Sequence, residues 1–237
     1  MAFVSAIIVA AGGSTRMGTA GSKQFLPLLG KPAIAYTLRA FQDCALIDEI
    51  VVVCRAQDID RVQQIAQEEA IDKLTSVTEG GAFRAESVQN GIIAADAGAG
   101  YYAIHDGARP LVTPSEIESV VECAFETGAA TLGTAVTDTI KFADENNIIT
   151  ATPDRSTLRA VQTPQVFERE LYAFAVTDAD DWESVTDDSS LIEQMGGEVQ
   201  IVDGSPENIK LTTPVDVVIA ESILRKRQAE DENRSWL

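Results

Sequence analysis

Histidine occurs once in these 237 residues, at His105, and cysteine three times, at Cys44, Cys54 and Cys123. With a single imidazole, Ser-His-Asp chemistry is excluded for any base other than His105. Three cysteines, odd in number and far apart, form neither a disulfide framework nor a zinc knuckle. They read as reduced core thiols. Basic residues are few: 18 Lys and Arg stand against 37 Asp and Glu, for a net charge of −19. A face for DNA or an anionic membrane is hard to build from that balance. The acidic surplus reads as a solvated surface, and it does not bar small anionic ligands, which depend on local cations. No apolar run is long enough to span a bilayer, and no basic segment followed by an apolar one opens the chain. The cytoplasm is the expected compartment. Internal repeats and low-complexity tracts are missing as well.

What is present is a regular alternation. Hydrophobic residues make up 45% of the chain, enough to bury a core, and the length suits one domain over residues 1–237. Apolar runs predict strands at Phe3–Ala10, Glu49–Cys54, Leu74–Thr78, Tyr102–His105, Thr131–Val136 and Val199–Val202. Amphipathic stretches predict helices at Pro32–Gln42, Ile59–Ala70, Arg84–Ala95, Pro114–Thr127, Glu168–Val176, Asp188–Met195 and Pro214–Gln228. Prolines 32, 114 and 214 each suit a first helical turn, and the tail Arg225–Leu237 is expected to fray. Alternating strands and helices imply an α/β fold with a mostly parallel sheet covered on both faces. Ligands then belong at the carboxyl ends of the strands.

One segment breaks the rhythm. Two short β-type runs, Thr137–Ala143 and Ile148–Thr152, flank Asp144-Glu145-Asn146-Asn147, the pattern of a hairpin. A two-stranded hairpin is marginal alone in water, so residues 137–152 are expected to pack on something, such as a partner subunit.

The first strand runs into Ala10-Ala11-Gly12-Gly13-Ser14-Thr15-Arg16-Met17-Gly18, followed by Lys23-Gln24-Phe25. Small residues let the backbone close on a ligand, free N–H groups seat phosphate oxygens, and Arg16 and Lys23 add two cations. The spacing is not that of a P-loop. Nor does a helix open directly after the glycines, as a dinucleotide-binding loop requires. Further along come Gly80-Gly81-Ala82-Phe83-Arg84-Ala85-Glu86-Ser87-Val88-Gln89-Asn90, Ile104-His105-Asp106-Gly107-Ala108-Arg109-Pro110 and Thr137-Asp138-Thr139-Ile140-Lys141. Asp154-Arg155, Gln162-Thr163-Pro164-Gln165, Thr186-Asp187-Asp188 and Asn208-Ile209-Lys210-Leu211-Thr212 complete the series.

In this order, over nearly the whole chain, these segments resemble the 2-C-methyl-D-erythritol 4-phosphate cytidylyltransferases, a branch of the nucleotidyltransferases. The resemblance implies a Rossmann-like three-layer fold with a protruding β-hairpin arm. It implies transfer of CMP from CTP to a polyol phosphate with release of pyrophosphate, in the methylerythritol phosphate route to isoprenoids. It further implies a bound Mg²⁺ and a homodimer in which the hairpin reaches across to its partner.

By the same resemblance Arg16, Lys23 and Lys210 are the catalytic cations. Ala10, Ala11, Gly12, Gly13, Gly80, Gly81, Ser87, Asp106 and Ala108 would bind the nucleotide. Asp106 would also help hold the metal. Arg109, Thr139, Lys141, Arg155, Thr163 and Thr186 would bind the polyol phosphate, some of them in the neighbouring subunit's site. These assignments suit the chemistry, because joining two polyanions at a crowded phosphorus needs positioning and neutralisation of charge.

Other residues stay open. Arg84 and Asn90 suit either ligand contact or scaffolding. His105 reads as structural, since the reaction needs no proton shuttle, and the acids at 180–181 and 187–188 read as a solvated loop leading into a helix start. Two other functions stay open: a cytidylyltransferase for ribitol 5-phosphate, and a nucleotide-binding relative without turnover.

Overall fold

The computed structural model describes residues 2–12, 22–178, 182 and 185–234. Eleven strands and seven α-helices are defined among them. In chain order they are β1 (Val4–Val9), β2 (Pro27–Leu28), β3 (Lys31–Pro32), α1 (Ala33–Asp43), β4 (Glu49–Cys54) and α2 (Ile59–Glu68). Next come β5 (Leu74–Glu79), α3 (Arg84–Ala94), β6 (Tyr101–Asp106), α4 (Pro114–Thr127) and β7 (Ala129–Ala135). The arm strands β8 (Phe142–Ala143) and β9 (Ile149–Ala151) precede β10 (Arg159–Glu168), α5 (Arg169–Asp178), α6 (Ser189–Gln194), β11 (Gln200–Asp203) and α7 (Pro214–Arg234).

Seven strands form one sheet in the order β11-β7-β10-β6-β1-β4-β5. All neighbouring pairs are parallel except those of β10, which runs antiparallel to both β6 and β7. Side chains alternate across the sheet, as the period of a strand requires. Ala6 and Ile8 join one apolar cluster with Ile34, Leu38 and Phe41 of α1, Val62 of α2 and Val120 of α4. Ile7 joins the other with Val88 of α3, Tyr172 of α5 and Ile192 of α6. Burial on both faces explains why β1 and β4 are continuous apolar runs. The result is the expected three-layer α/β architecture.

Several boundaries have visible causes. Helix α4 starts in a capping box, where the Thr113 side chain accepts from the Glu116 N–H and the Glu116 carboxylate accepts from the Thr113 N–H. Pro114 occupies its first turn, and Gly128 ends it at φ +81°, the left-handed cap that glycine adopts without strain.

Several features differ from the sequence reading, among them the short β2–β3 pair, which leaves Pro32 as the N-cap of α1 instead of in its first turn. Strand β10 was not expected. Pro164 falls inside it, at a register shift between Val161 and Gln165, where such a break admits a residue that lacks an N–H. Helix α7 continues to Arg234 instead of fraying after Arg225; its inner face seats Ala220 and Leu224 against Leu28, Leu111 and Leu211. The arm strands pair antiparallel but are shorter than the two β-type runs. Asn147, at φ +62°, turns the chain between them, and the Asp144 carboxylate accepts from the N–H groups of Asn146 and Ile148. Among the described residues no helix is long and apolar enough to cross a membrane.

Candidate active site

The carboxyl ends of β1, β5 and β6 converge. Ala10 follows β1 and is tied to β4 by its N–H to the Val53 carbonyl at 2.7 Å. The buried Gln24 side chain donates to the Ala10 carbonyl, which fixes where the glycine-rich loop departs. Gly80 follows β5, its N–H bonded to the Cys54 carbonyl at 2.9 Å. A Cβ at Gly80 would collide with the Ala11 Cβ and come within 2.9 Å of Ser87 Oγ, so the two loops meet at a distance only glycine permits.

Between them opens a cavity of about 250 Å³, lined by Ala10, Ala11, Gly12, Lys23, Gln24, Gly81, Phe83, Arg84, Ser87, Asp106, Ala108 and Lys210. A second cavity, of about 210 Å³, adjoins it and is lined by Arg109, Val161, Gln162, Thr163, Gln165, Thr186 and Asp187. Arg84, Asp106 and Lys210 line both. These three side chains form the seam between two polar chambers.

Asp106, at the end of β6, is the centre of the seam. Its Oδ2 lies 2.9 Å from Lys210 Nζ and 3.5 Å from Arg109 Nε, and its Oδ1 lies 3.7 Å from Arg84 Nε. Burial pushes the carboxyl up, but Lys210, Arg84 and Arg109 outweigh that and hold it well below the usual carboxylate range. For Arg84, burial pulls the guanidinium down, and Asp188 and Asp106 more than reverse it. Both groups stay charged.

His105 has the structural place expected of it. It is fully buried, its Nδ1 is 3.0 Å from Thr163 Oγ1 and its Nε2 is 3.2 Å from the Arg109 carbonyl. Thr163 Oγ1 accepts the Asp106 N–H at 3.1 Å, so its own hydrogen is free to donate to Nδ1, and Nε2–H donates to the carbonyl. Burial lowers the imidazole pKa to about 3. The unfolded chain therefore binds a proton that the folded chain refuses, and stability falls as pH drops from about 6.5 toward 3. We expect the wild-type protein to lose about 2 kcal/mol between pH 7 and pH 5 from this group, at roughly 1.4 kcal/mol per pH unit. Urea denaturation at the two pH values checks this: an equal pH dependence in His105→Gln would refute it.

The structure gathers most of the predicted site and leaves some of it aside. Ala10, Ala11, Gly12, Lys23, Gly81, Ser87, Asp106, Ala108 and Lys210 line the first cavity, with Gly80 just behind. Arg109, Thr163 and Thr186 line the second. Gly13 and Arg16 lie outside the described residues. Thr139, Lys141 and Arg155 line neither cavity of this chain: Thr139 is exposed, Lys141 Nζ donates to Thr152 Oγ1 at 2.6 Å, and Arg155 donates to the Thr137 carbonyl at 2.8 Å. The Ser87 hydroxyl is committed locally, accepting the Gly81 N–H and donating to the Phe83 carbonyl, each at 3.0 Å. It shapes the glycine turn.

Arg84 resolves as a wall of both cavities and Asn90 as scaffolding, its amide donating to the Glu79 carbonyl at 3.0 Å. Asp188, expected in the capping run at a helix start, is fully buried, caps nothing with its side chain, and pairs with Arg84 at 2.6 Å. Gln165 and Asp187 were not singled out as site residues. Their signal was present only in the motifs Gln162–Gln165 and Thr186–Asp188, which the antiparallel β10 brings to the cavity.

Comparison with known proteins agrees with this geometry. The family model described as 2-C-methyl-D-erythritol 4-phosphate cytidylyltransferase (IspD) matches residues 4–226. A curated protein of that name from Caldanaerobacter subterraneus subsp. tengcongensis is 46% identical over 225 residues, 94% of this chain and 99% of its own. Another, from a Synechococcus strain, is 45% identical over 93% of this chain and 97% of its own. The crystal structure of 4-diphosphocytidyl-2C-methyl-D-erythritol synthase from Anaerococcus prevotii superposes with a TM-score of 0.83 at 30% identity, over 94% of this chain and 96% of that one. With a family match over nearly its whole length and a fold and paired cavities to go with it, the chain belongs to the 2-C-methyl-D-erythritol 4-phosphate cytidylyltransferase family.

Proposed function

We propose that this protein transfers CMP from CTP to 2-C-methyl-D-erythritol 4-phosphate in isoprenoid precursor synthesis. The products are 4-diphosphocytidyl-2-C-methyl-D-erythritol and pyrophosphate. The observation that carries the reading is the seam: two chambers share Arg84, Asp106 and Lys210, so two anionic ligands meet across fixed cations.

In the reaction a phosphate oxygen of the polyol attacks the α-phosphorus of CTP, and the bond to the β-phosphate oxygen breaks as pyrophosphate leaves. The phosphate monoester is already a nucleophile near neutral pH, so no general base is needed. Neutral, buried His105 is consistent with that economy. Lys23 and Lys210, with Arg16, would surround the α-phosphate and stabilise charge that grows in the transition state. The backbone of Ala10–Gly13 would seat phosphates, and Gly80 and Gly81, shaped by Ser87, would meet the cytosine edge. Asp106 and Ala108 would complete the nucleotide side. Arg109, Thr163 and Thr186 would hold the polyol phosphate. Thr139, Lys141 and Arg155, which line neither cavity here, would complete the partner subunit's site in a homodimer.

Among the described residues no group of three or more His, Cys, Asp or Glu could hold a metal ion. Among the described residues Asp106 is the one carboxylate lining the first cavity, and the one described cationic neighbour of its Oδ1 is 3.7 Å away. A single carboxylate suits Mg²⁺, which takes its other ligands from substrate phosphates and water. Asp106 would hold the ion, and bound Mg²⁺ would neutralise triphosphate charge. We assign the protein to the cytoplasm.

Pyrophosphate release tests the whole reading. CTP, Mg²⁺ and either methylerythritol phosphate or ribitol 5-phosphate are supplied, with ATP, GTP and UTP as controls. Turnover is expected for CTP with methylerythritol phosphate. Preference for ribitol phosphate would move the protein to another pathway, and silence with every pair would sink the catalytic reading.

A further inference from the structure

Asp188 lines neither cavity, yet it is a fully buried acid with both oxygens engaged. Oδ2 lies 2.6 Å from Arg84 Nη1, and Oδ1 accepts the Tyr172 hydroxyl at 2.8 Å. Gln165 holds its backbone, accepting the N–H groups of Asp188 and Ser189 at 2.9 and 3.2 Å. The same Gln165 side chain donates to Asp187 at 2.7 Å. An acid at the N-cap of a helix ordinarily caps it, and this one makes no such bond. Its interactions go instead to Tyr172 and to an arginine 104 residues away in sequence.

Arg84 is the first residue of α3. Its nearest competing anion is Asp106, 3.7 Å from Nε, which Lys210 and Arg109 already share. A charge-assisted bond from behind fixes the guanidinium and keeps it from closing onto Asp106. We propose that Asp188 is a positioning residue of the reaction: it anchors Arg84 so that the guanidinium presents a fixed edge to both chambers, where the two substrate phosphates meet. The proposal rests on the cytidylyltransferase reading.

A double-mutant cycle tests it. Asp188→Asn keeps the volume and one acceptor but loses the charge. We expect kcat/KM for the CTP and methylerythritol phosphate pair to fall at least 10-fold, with secondary structure unchanged by circular dichroism. In an Arg84→Met background, adding Asp188→Asn is expected to change kcat/KM less than 2-fold, since nothing is left to position. Should Arg84→Met fail to fold, Arg84→Lys, which keeps a charge beside Asp188, replaces it, and the loss from Asp188→Asn should there be at least 3-fold smaller than in wild type. Equal losses in both backgrounds would mean that Asp188 serves the fold alone and would overturn the proposal. So would an Asp188→Asn enzyme as active as wild type. A wild-type protein that does not turn over CTP removes the underlying reading, and the proposal with it.

Discussion

Lys210→Ala is expected to lower kcat by on the order of 10²-fold or more, the scale of removing one preorganised charge-stabilising group. Lys210 follows β11 in a loop tied to the site, where Asn208 donates to the Thr163 carbonyl at 3.0 Å and the Leu211 N–H bonds to the Ala108 carbonyl at 2.8 Å. Its ammonium stands 2.9 Å from Asp106 and on the wall of both chambers, where one cation can act on both reacting phosphates. The fold should survive, because Arg84 and Arg109 remain to offset the Asp106 charge. Single-turnover measurement of pyrophosphate release separates chemistry from binding: a fall in kcat with little change in either KM identifies a transition-state contact. If the rate stays within a few-fold of wild type, Lys210 is not an α-phosphate cation. Lys23→Ala is the parallel test from the other side of the nucleotide cavity.

Gly80→Ala is expected to raise the KM for CTP at least 10-fold and to destabilise the protein by about 1–3 kcal/mol, the range for overpacking a tight site. The added methyl has no free direction. It would meet the Ala11 Cβ, which belongs to the glycine-rich loop, and Ser87 Oγ, which pins the neighbouring turn. One of the two loops must retreat, and both line the nucleotide chamber. The second cavity shares Arg84, Asp106 and Lys210 with the first but neither Ala11 nor Ser87, so KM for methylerythritol phosphate should change less than 3-fold. Ala11→Gly removes the first collision, and the double variant Ala11→Gly/Gly80→Ala should recover part of the loss. A single variant with unaltered KM for CTP would show that the close approach of these loops does not shape the site.

The parts of the molecule that could be read from the chain are those whose signal is local. Glu49–Cys54 and Pro114–Thr127 match the structure residue for residue, the one because a strand buried on both faces is continuously apolar, the other because proline, a capping box and a terminal glycine mark its ends. Strand β10 escaped because Gln162, Thr163, Pro164 and Gln165 interrupt its pattern, and proline argues against a central strand. Gln162, Thr163 and Gln165, with Val161 before them, are what it contributes to the second cavity. Asp188 escaped for a related reason. An acid before an apolar helix reads as a cap, and only the fold brings up the arginine that explains its burial. Lys23, Asp106 and Lys210 were legible one by one as motif residues. That Asp106 and Lys210 touch, and that Arg84 joins them, depends on packing between segments far apart in sequence, 104 residues for the first pair and 22 for Arg84 and Asp106.

The reversed direction of β10 has a consequence for how such enzymes diversify. The first cavity, proposed here for the nucleotide, hangs mainly on the parallel strands β1, β5 and β6, while the second is furnished mainly by β10 and the residues just before α6. On the proposed assignment, donor and acceptor would occupy separate modules that share, among the described residues, three charged side chains. Exchanging Val161–Gln165 and Thr186–Asp187 for other sequences would retool the acceptor while leaving the triphosphate machinery intact, which makes this half of the protein the natural place to graft a new alcohol phosphate.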